Sequence, residues 1–357
     1  MTDKLLAINF GGIGDEILFL PVLESIRKAN PSIHITLLLE PRSKAIGDIT
    51  NLVDDIKLFD IKKRPLLPND YFDLLQILRS GNYTTVVSSG GSPLVACLLF
   101  ASGIKERIGY DSGSLSRLLL SQAVRLDKNQ YAADMYHDLV QGMGLIKKQV
   151  VPHINVPEAS LVRMRDYLSN FGKPEKEKRT KRIIIHPGTS RLAIEKGIIK
   201  TWTASNWANL IEQLTSKDDM QVILAGGPDD EQTILQIKEE LDNKSFSSAL
   251  FISAYGATKS LADLSALISI SDLLICVDSA PMHVAVGVKK PILALFGPTD
   301  PAKLLPSSPQ WRYLKDSVAA IDSAKCSTGN QKSYGINVQP DAVYHCAMDL
   351  LQLVKVQ

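Results

Sequence analysis

The sequence predicts an α/β protein made of two doubly wound, Rossmann-like domains that face each other across a cleft. Three observations carry this expectation. In the first half, short β-branched or leucine-rich runs alternate with segments of helical apolar spacing. The second half repeats that alternation. Between the halves, "FGKPEKEKRTKR" (Phe171 to Arg182) is dense in charge and has no periodic apolar residues, as a linker should.

Taken in order, "KLLAINF", "HITLLLE", "IKLFDI" and "YTTVVSS" read as strands bounded by polar or glycine turns. "DEILFLPVLESIRKAN", "SKAIGDITNLV" and "YFDLLQILRSG" read as the helices between them. In the second half, "RIIIHPG", "QVILAGG", "ALFIS", "DLLICVD" and "PILALFG" are the strands. "ASNWANLIEQL", "DDEQTILQIKEEL", "SLADLSALISI" and "APMHVAVGV" are their helices. Strands separated by helices argue for parallel sheets covered on both faces. The expected division is a first domain over 1–172, a linker over 173–181 and a second domain over 182–339. A closing helix over 340–357 is expected to pack back toward the first domain. The polar region from Ser307 to Gln339 gives no readable pattern.

Composition narrows the function. A length of 357 residues is comfortable for two cores. Lys and Arg number 40 against 38 acidic residues, so no overall field favours nucleic acid. Cys97, Cys276, Cys326 and Cys346 form no C-x-x-C pair, which suits a reducing cytoplasm and gives no zinc site. The start lacks the basic and long apolar regions of a signal peptide, and no apolar run reaches about 18 residues. The basic cluster in "KLFDIKKRP" reads first as a solvated loop.

Several strand ends carry residues suited to an anionic ligand. "RIIIHPGTS" delivers a glycine for close backbone approach, followed by the hydroxyls of Thr189 and Ser190. Lys200 precedes a helix; it is a surface lysine beside Trp202 and Trp207, or an ammonium aimed at a phosphate. "LLICVDSAPMHVAVGVKKPILALFGPTDP" is the strongest local signal. A buried strand ends in Asp278-Ser279, and a helix starts at Ala280-Pro281, whose free N–H groups make an anion site. Ser279 and His283 are four apart on one helix face. Each taken alone also reads as a cap or a packing residue. In "LAGGPDDEQ", Asp229, Asp230 and Glu231 suit a first-turn acidic cap, and acids at such a turn also hold ribose hydroxyls.

The first strand ends in "GGIGDE", where Ile17 replaces the third glycine of G-x-G-x-x-G, so the dinucleotide fingerprint is incomplete. Asp15 and Glu16 either cap the following helix or supply a carboxylate for chemistry. A carboxylate there does not bind an anion, but it suits a general base for an incoming hydroxyl.

The chain resembles glycosyltransferase family 9, the ADP-heptose:lipopolysaccharide heptosyltransferases, over nearly its whole length. The marks are "GGIGDEILFLPVLESIRKANP", "ERIGYDSGSLSRLLLS", "HPGTS…KTWTASNWANLI", "ILAGGPDDE" and above all "DSAPMHVAVGVKKPILALFGPTDP". The resemblance implies a GT-B fold, with an acceptor-binding first domain and a donor-binding second domain. It also implies inverting, metal-independent sugar transfer from a nucleotide-diphosphate sugar, which is a substrate, so no cofactor is expected. By position, Asp15 looks like the base and Lys200 like the support of the leaving diphosphate. Gly14, Thr189, Ser190, Asp230, Glu231, Asp278, Ser279, Ala280 and His283 match the donor site. Ala280 stands where the family usually has glycine. Arg42, Lys62, Lys63 and Arg64 are candidates for acceptor phosphates. The implied partners are a nucleotide-sugar donor and a glycolipid or saccharide acceptor, with no nucleic acid. A cytoplasmic monomer is expected, with room for peripheral contact at the inner membrane. Two other readings stand beside this one. A nucleotide-sugar-binding module without turnover keeps the same residues, while a nicotinamide oxidoreductase rests on "GGIG" alone.

Overall fold

A computed structural model describes residues 3–63, 66–171, 180–189, 200–217, 219–315 and 335–353. The chain divides into two compact units, Met1–Asn155 and Val156–Gln357.

The first unit runs β1 (Lys4–Ile8), α1 (Ile13–Ala29), β2 (His34–Leu39), β3 (Asp55–Leu58), α2 (Pro68–Ser80) and β4 (Thr85–Ser88). It continues with α3 (Pro93–Ala101), β5 (Glu106–Tyr110), α4 (Ser114–Leu119), β6 (Gln122–Val124) and α5 (Ala132–His137). The six strands pair in parallel in the order β3-β2-β1-β4-β5-β6. Leu5, Leu6 and Ala7 in β1 are fully buried, the mark of a central strand covered on both faces. Helix α1 continues through Pro21, and its residues Ile17 to Leu23 are all buried.

The helix expected over 43–53 is instead a 3-10 segment, Pro41–Ile49. Its buried residues Ser43, Ile46 and Ile49 recur every third position, which fits three residues per turn better than 3.6. Strands β5 and β6 and helices α3 to α5 had no assigned element in the sequence. The strands are short, and "PLVACLLFA" is too uniformly apolar to show a period.

The second unit begins with α6 (Glu158–Ser169) and β7 (Lys181–His186). It continues with α7 (Ala204–Thr215), β8 (Met220–Leu224), α8 (Glu231–Asn243), β9 (Phe251–Ser253) and α9 (Leu261–Ser269). Then come β10 (Leu273–Val277), α10 (Ala280–Gly287), β11 (Ile292–Phe296), α11 (Pro301–Leu304), β12 (Trp311–Lys315) and α12 (Pro340–Leu353). Its strands are also all parallel, ordered β12-β11-β10-β7-β8-β9. Counted from its own first strand this is the same winding as the first sheet. In each sheet the direction of winding reverses between two central neighbours, β1/β4 and β7/β10. Such switch points are where open α/β sheets bind ligands.

Two expectations about domain limits give way. The first domain was expected to end at 172, but residues Glu158–Ser169 form α6, which joins the second unit. Arg163 donates to Asp263 Oδ1 on α9 from Nε (3.1 Å) and Nη2 (2.6 Å), and the Tyr167 hydroxyl donates to the Ser253 carbonyl (3.0 Å). The closing helix belongs to the second unit. Val343, Ala347, Leu350 and Leu351 of α12 enter the second unit's core beside Trp207 and Leu210, and the Leu351 carbonyl accepts a bond from Lys181 Nζ (3.2 Å). Strand β12 lies within the stretch whose sequence gave no pattern. Residues 173–179 of the expected linker lie outside the described residues.

Candidate functional site

At the β1/β4 switch point the chain leaves β1 through Asn9 to Gly12 and enters α1. Asp15 sits in the first turn, and its Oδ2 accepts the Gly12 N–H at 2.9 Å. Its Oδ1 accepts the Tyr136 hydroxyl from α5 at 3.3 Å. The Tyr136 ring is held edge-on against Phe19, with centroids 5.8 Å apart. Burial, and then the nearby Asp15 charge, push the Tyr136 hydroxyl well up, so it stays a proton donor. Gly11 is needed here, because a Cβ on it would stand 2.2 Å from the Asp15 Cβ. Gly14 lies in the same helical turn, in the first unit and apart from the other donor candidates.

The two adjacent acids play different parts. Glu16 is buried, and its Oε1 accepts the Gly11 N–H at 3.3 Å. Burial raises its carboxyl well above the usual range, with smaller upward pushes from Asp15 and Glu40 opposed by bonds from Gly11 and Asn9. Glu16 therefore favours the neutral acid and braces the turn. Asp15 is half-buried and lines a cavity of about 680 Å³ together with Asn9, Ser88 and Tyr136. Of the basic candidates, Arg42 and Lys62 both pair with buried Glu40, at 2.6 Å and 3.5 Å. A Cβ on Gly12 would lie 3.8 Å from both Arg42 Nη2 and Asp15 Oδ2, so the guanidinium borders the Asp15 turn. Lys63 pairs with Asp70 (3.1 Å), and Arg64 lies outside the described residues.

The β7/β10 switch point gathers most of the expected donor set. Buried Asp278 follows β10, and its Oδ2 accepts Lys200 Nζ and Thr299 Oγ1, both at 2.6 Å. The pairing draws the ammonium onto this edge and leaves two of its protons for other acceptors. Ser279 caps α10 by position, but its hydroxyl donates to the Val277 carbonyl (3.3 Å) and makes no cap bond to the helix. Ala280 opens the helix's first turn, and His283 is buried one turn on, on the same face as Ser279. Thr189 is buried just past β7. Ser190 lies outside the described residues. Free N–H groups, an ammonium and hydroxyls around one sheet edge form an anion site.

The acidic turn after β8 is tied up in structure. Asp230 Oδ2 accepts the Gly227 N–H at 2.8 Å and lies 3.5 Å from Nε2 of buried His186. Burial pushes the His186 imidazole down, against the upward pull of Asp230. Glu231 beside it is exposed. Sequence reasoning missed Tyr136, which is distant in sequence and carries no motif. It also missed the bond from Thr299 to Asp278, which joins residues 21 positions apart.

The pattern of glycosyltransferase family 9 (heptosyltransferase) matches residues 71–331, beginning after the Asp15 turn. The chain is 26% identical over 298 residues to lipopolysaccharide heptosyltransferase 3 of Escherichia coli, covering 80% of this chain and 81% of that protein. Its fold is similar to that of a family 9 glycosyl transferase from Veillonella parvula DSM 2008, with a TM-score of 0.76 at 23% identity, covering 98% and 97% of the two chains. It is similar too to E. coli ADP-heptose lps heptosyltransferase II, with a TM-score of 0.74 at 20% identity over 99% of each chain. Two Rossmann-wound sheets and a family match over most of the chain show a GT-B glycosyltransferase that belongs to glycosyltransferase family 9.

Proposed function

We propose that the protein transfers a sugar, heptose from ADP-heptose, to a hydroxyl of a cell-envelope glycolipid or polysaccharide, in the assembly of lipopolysaccharide. The single observation that supports this best is the division of chemistry. The β7/β10 edge carries a lysine held by Asp278 beside an uncapped helix N-terminus. The β1/β4 edge carries an oriented carboxylate, Asp15, facing into a cavity. The named relatives add the heptosyl and lipopolysaccharide part of the reading.

In this mechanism Asp15 takes the proton from the acceptor hydroxyl, whose oxygen attacks the anomeric carbon from the face opposite the leaving group. The configuration inverts. The C–O bond to the nucleoside diphosphate breaks, and Lys200 with the first turn of α10 stabilises the charge that develops on the departing phosphate. This serves the role a metal ion has in other sugar transfers. The acidic residues Asp230 and Glu231 lie on the side expected for the ribose, with Glu231 the more available of the two. Among the described residues no helix is long and apolar enough to cross a membrane. The reading has the protein working as a cytoplasmic monomer, touching the inner membrane peripherally where its acceptor resides.

The test gives the purified protein a panel of ADP-, UDP- and GDP-sugars with lipid-linked and free saccharide acceptors, with and without a chelator. Transfer from an ADP-sugar that survives chelation, and falls on the order of 10²–10⁴-fold in Asp15→Ala, is the expected result. Undiminished transfer by Asp15→Ala rules out that base. Donor binding with no product under any acceptor leaves a nucleotide-sugar-binding protein without turnover.

A further inference from the structure

Helix α5 carries Tyr136, whose hydroxyl reaches Asp15, yet the helix is only six residues long. An isolated helix of that length does not hold itself together, so packing must set its position. Among the described residues, two side-chain hydrogen bonds tie it to α1, and they come from consecutive residues. Tyr136 donates to Asp15 Oδ1 at 3.3 Å, and His137 Nε2 shares a 2.8 Å hydrogen bond with the Ser25 hydroxyl. His137 is only 1% exposed. Its Nδ1 has no hydrogen-bond partner among the described residues, so Ser25 is the polar anchor of the ring. Burial pushes the imidazole below its ordinary value, while Asp134 and Asp138 pull it up and Lys147 and Lys148 push it down. The ring is therefore neutral at pH 7, and its contact with Ser25 joins two uncharged groups.

The two bonds differ in what they tolerate. A hydroxyl bond to oxygen is best near 2.7 Å, and by about 3.6 Å it is no longer a bond. At 3.3 Å, Tyr136 has about 0.3 Å to spare before Asp15 loses it. The Ser25–His137 bond is at full strength, so it sets where α5 lies and the longer bond depends on it. The edge contact of Tyr136 with Phe19 is apolar and non-directional, and it cannot fix a distance to tenths of an ångström. We propose that Ser25 and His137 are a positioning pair for sugar transfer, fixing α5 against α1 so that the Tyr136 hydroxyl reaches the Asp15 carboxylate. The effect on transfer rests on the transferase reading; the placement of Tyr136 does not. Neither residue lines the cavity beside Asp15, so both act through Tyr136 rather than on a substrate. Other bonds keep α5 folded without the pair. The Tyr110 hydroxyl donates to the Met135 carbonyl (2.7 Å), and Asp134 Oδ1 accepts the Val150 N–H (2.8 Å). They join α5 to β5 and to the chain at Val150, and leave its distance from α1 to the pair.

The experiment labels the full chain with carbon-13 at the tyrosine Cζ and assigns the Tyr136 signal by its absence in Tyr136→Phe. Asp15→Ala gives the position of that signal when the bond is gone. Ser25→Ala is expected to move it most of the way there. His137→Gln, whose amide reaches the place of Nε2, is expected to leave it near the native position. In transfer assays Ser25→Ala should lower kcat about three- to tenfold at an unchanged donor KM, as a less well aligned base does. In a Tyr136→Phe background it should lower kcat no further, because both changes remove one contact. His137→Leu, which keeps the volume without the bond, decides the matter if Ser25→Ala does not fold. An unmoved Tyr136 signal in folded Ser25→Ala overturns the proposal. So does a kcat loss equally large with and without the Tyr136 hydroxyl, or a signal that moves as far in His137→Gln as in Ser25→Ala. The outcome is separable from the transferase reading. A native protein that transfers no sugar sinks that reading while the tyrosine signal still decides the placement, and a fixed signal beside intact transfer sinks only the placement.

Discussion

Lys200 Nζ lies 2.6 Å from Asp278 Oδ2, and the same carboxylate oxygen accepts the Thr299 hydroxyl at 2.6 Å. The lysine proposed to steady a diphosphate is thus already held by a buried counter-charge. Removing it strands a carboxylate that is only 3% exposed. Lys200→Met is expected to cost about 3 kcal/mol, the lower end for a broken buried pair, because Thr299 still donates. The double variant Lys200→Met with Asp278→Leu should recover most of that stability in urea unfolding, yet fail to bind ADP. ADP binding by the double variant at the native affinity would show that the pair is only structural.

Tyr136 orients Asp15 through one hydrogen bond. Tyr136→Phe keeps the ring against Phe19 and deletes only the hydroxyl. A stability loss of about 1 kcal/mol is expected, the usual size for one such bond. In sugar transfer, kcat should fall on the order of tenfold at an unchanged donor KM, since a loosely held base spends less time aligned. An unchanged kcat would mean that Gly12 alone positions the carboxylate.

Glu16 gives a pH signature. Folding raises its carboxyl above the ordinary 4.5, because burial disfavours the charged form. The native state therefore keeps a proton that the unfolded chain has released above that pH, and stability falls as pH rises from there toward the folded-state value. Glu16→Gln removes this loss. Its Tm is expected to match the native protein near pH 4 and to exceed it as pH rises above 4.5. A gap that does not change with pH would show that Glu16 titrates no differently in the fold.

Gly188 is a packing test. A Cβ built there would stand 1.7 Å from Asp230 Oδ1, so Gly188→Ala must move the carboxylate that caps Gly227 and faces His186. About 1–3 kcal/mol of destabilisation is expected, the range for overpacking a close-packed site. Circular dichroism melts would check it. An unchanged melting temperature would mean that the Asp230 turn moves freely.

The winding of both sheets was legible in the sequence. Long, buried β-branched runs such as "RIIIH" and "LLICV" separated by amphipathic helices admit few arrangements other than a parallel, doubly wound sheet. The donor edge was legible too, because the strand-to-helix turns at Asp278 and Gly227 carry their ligand groups within a few residues of a strand end. Less local features were not. Helix α12 has a clear apolar face, but the face does not say which sheet it covers; the contacts with Trp207 and Leu210 decide that. Helix α6 goes with the second unit because Arg163 and Tyr167 bond to residues 100 and 86 positions away, respectively.

The sequence alone determined the fold class and the residue types at the two strand edges where ligand chemistry is expected. Periodicity and turn chemistry are local properties, and they are written into neighbouring residues. Only the tertiary structure decided which of the two adjacent acids is available. Burial makes Glu16 a neutral brace, while Tyr136, from a helix 121 residues on, holds half-buried Asp15 at the cavity. Only it showed that Lys200 answers to Asp278. Burial and long-range partners arise from packing of distant segments, and no short stretch of sequence contains them.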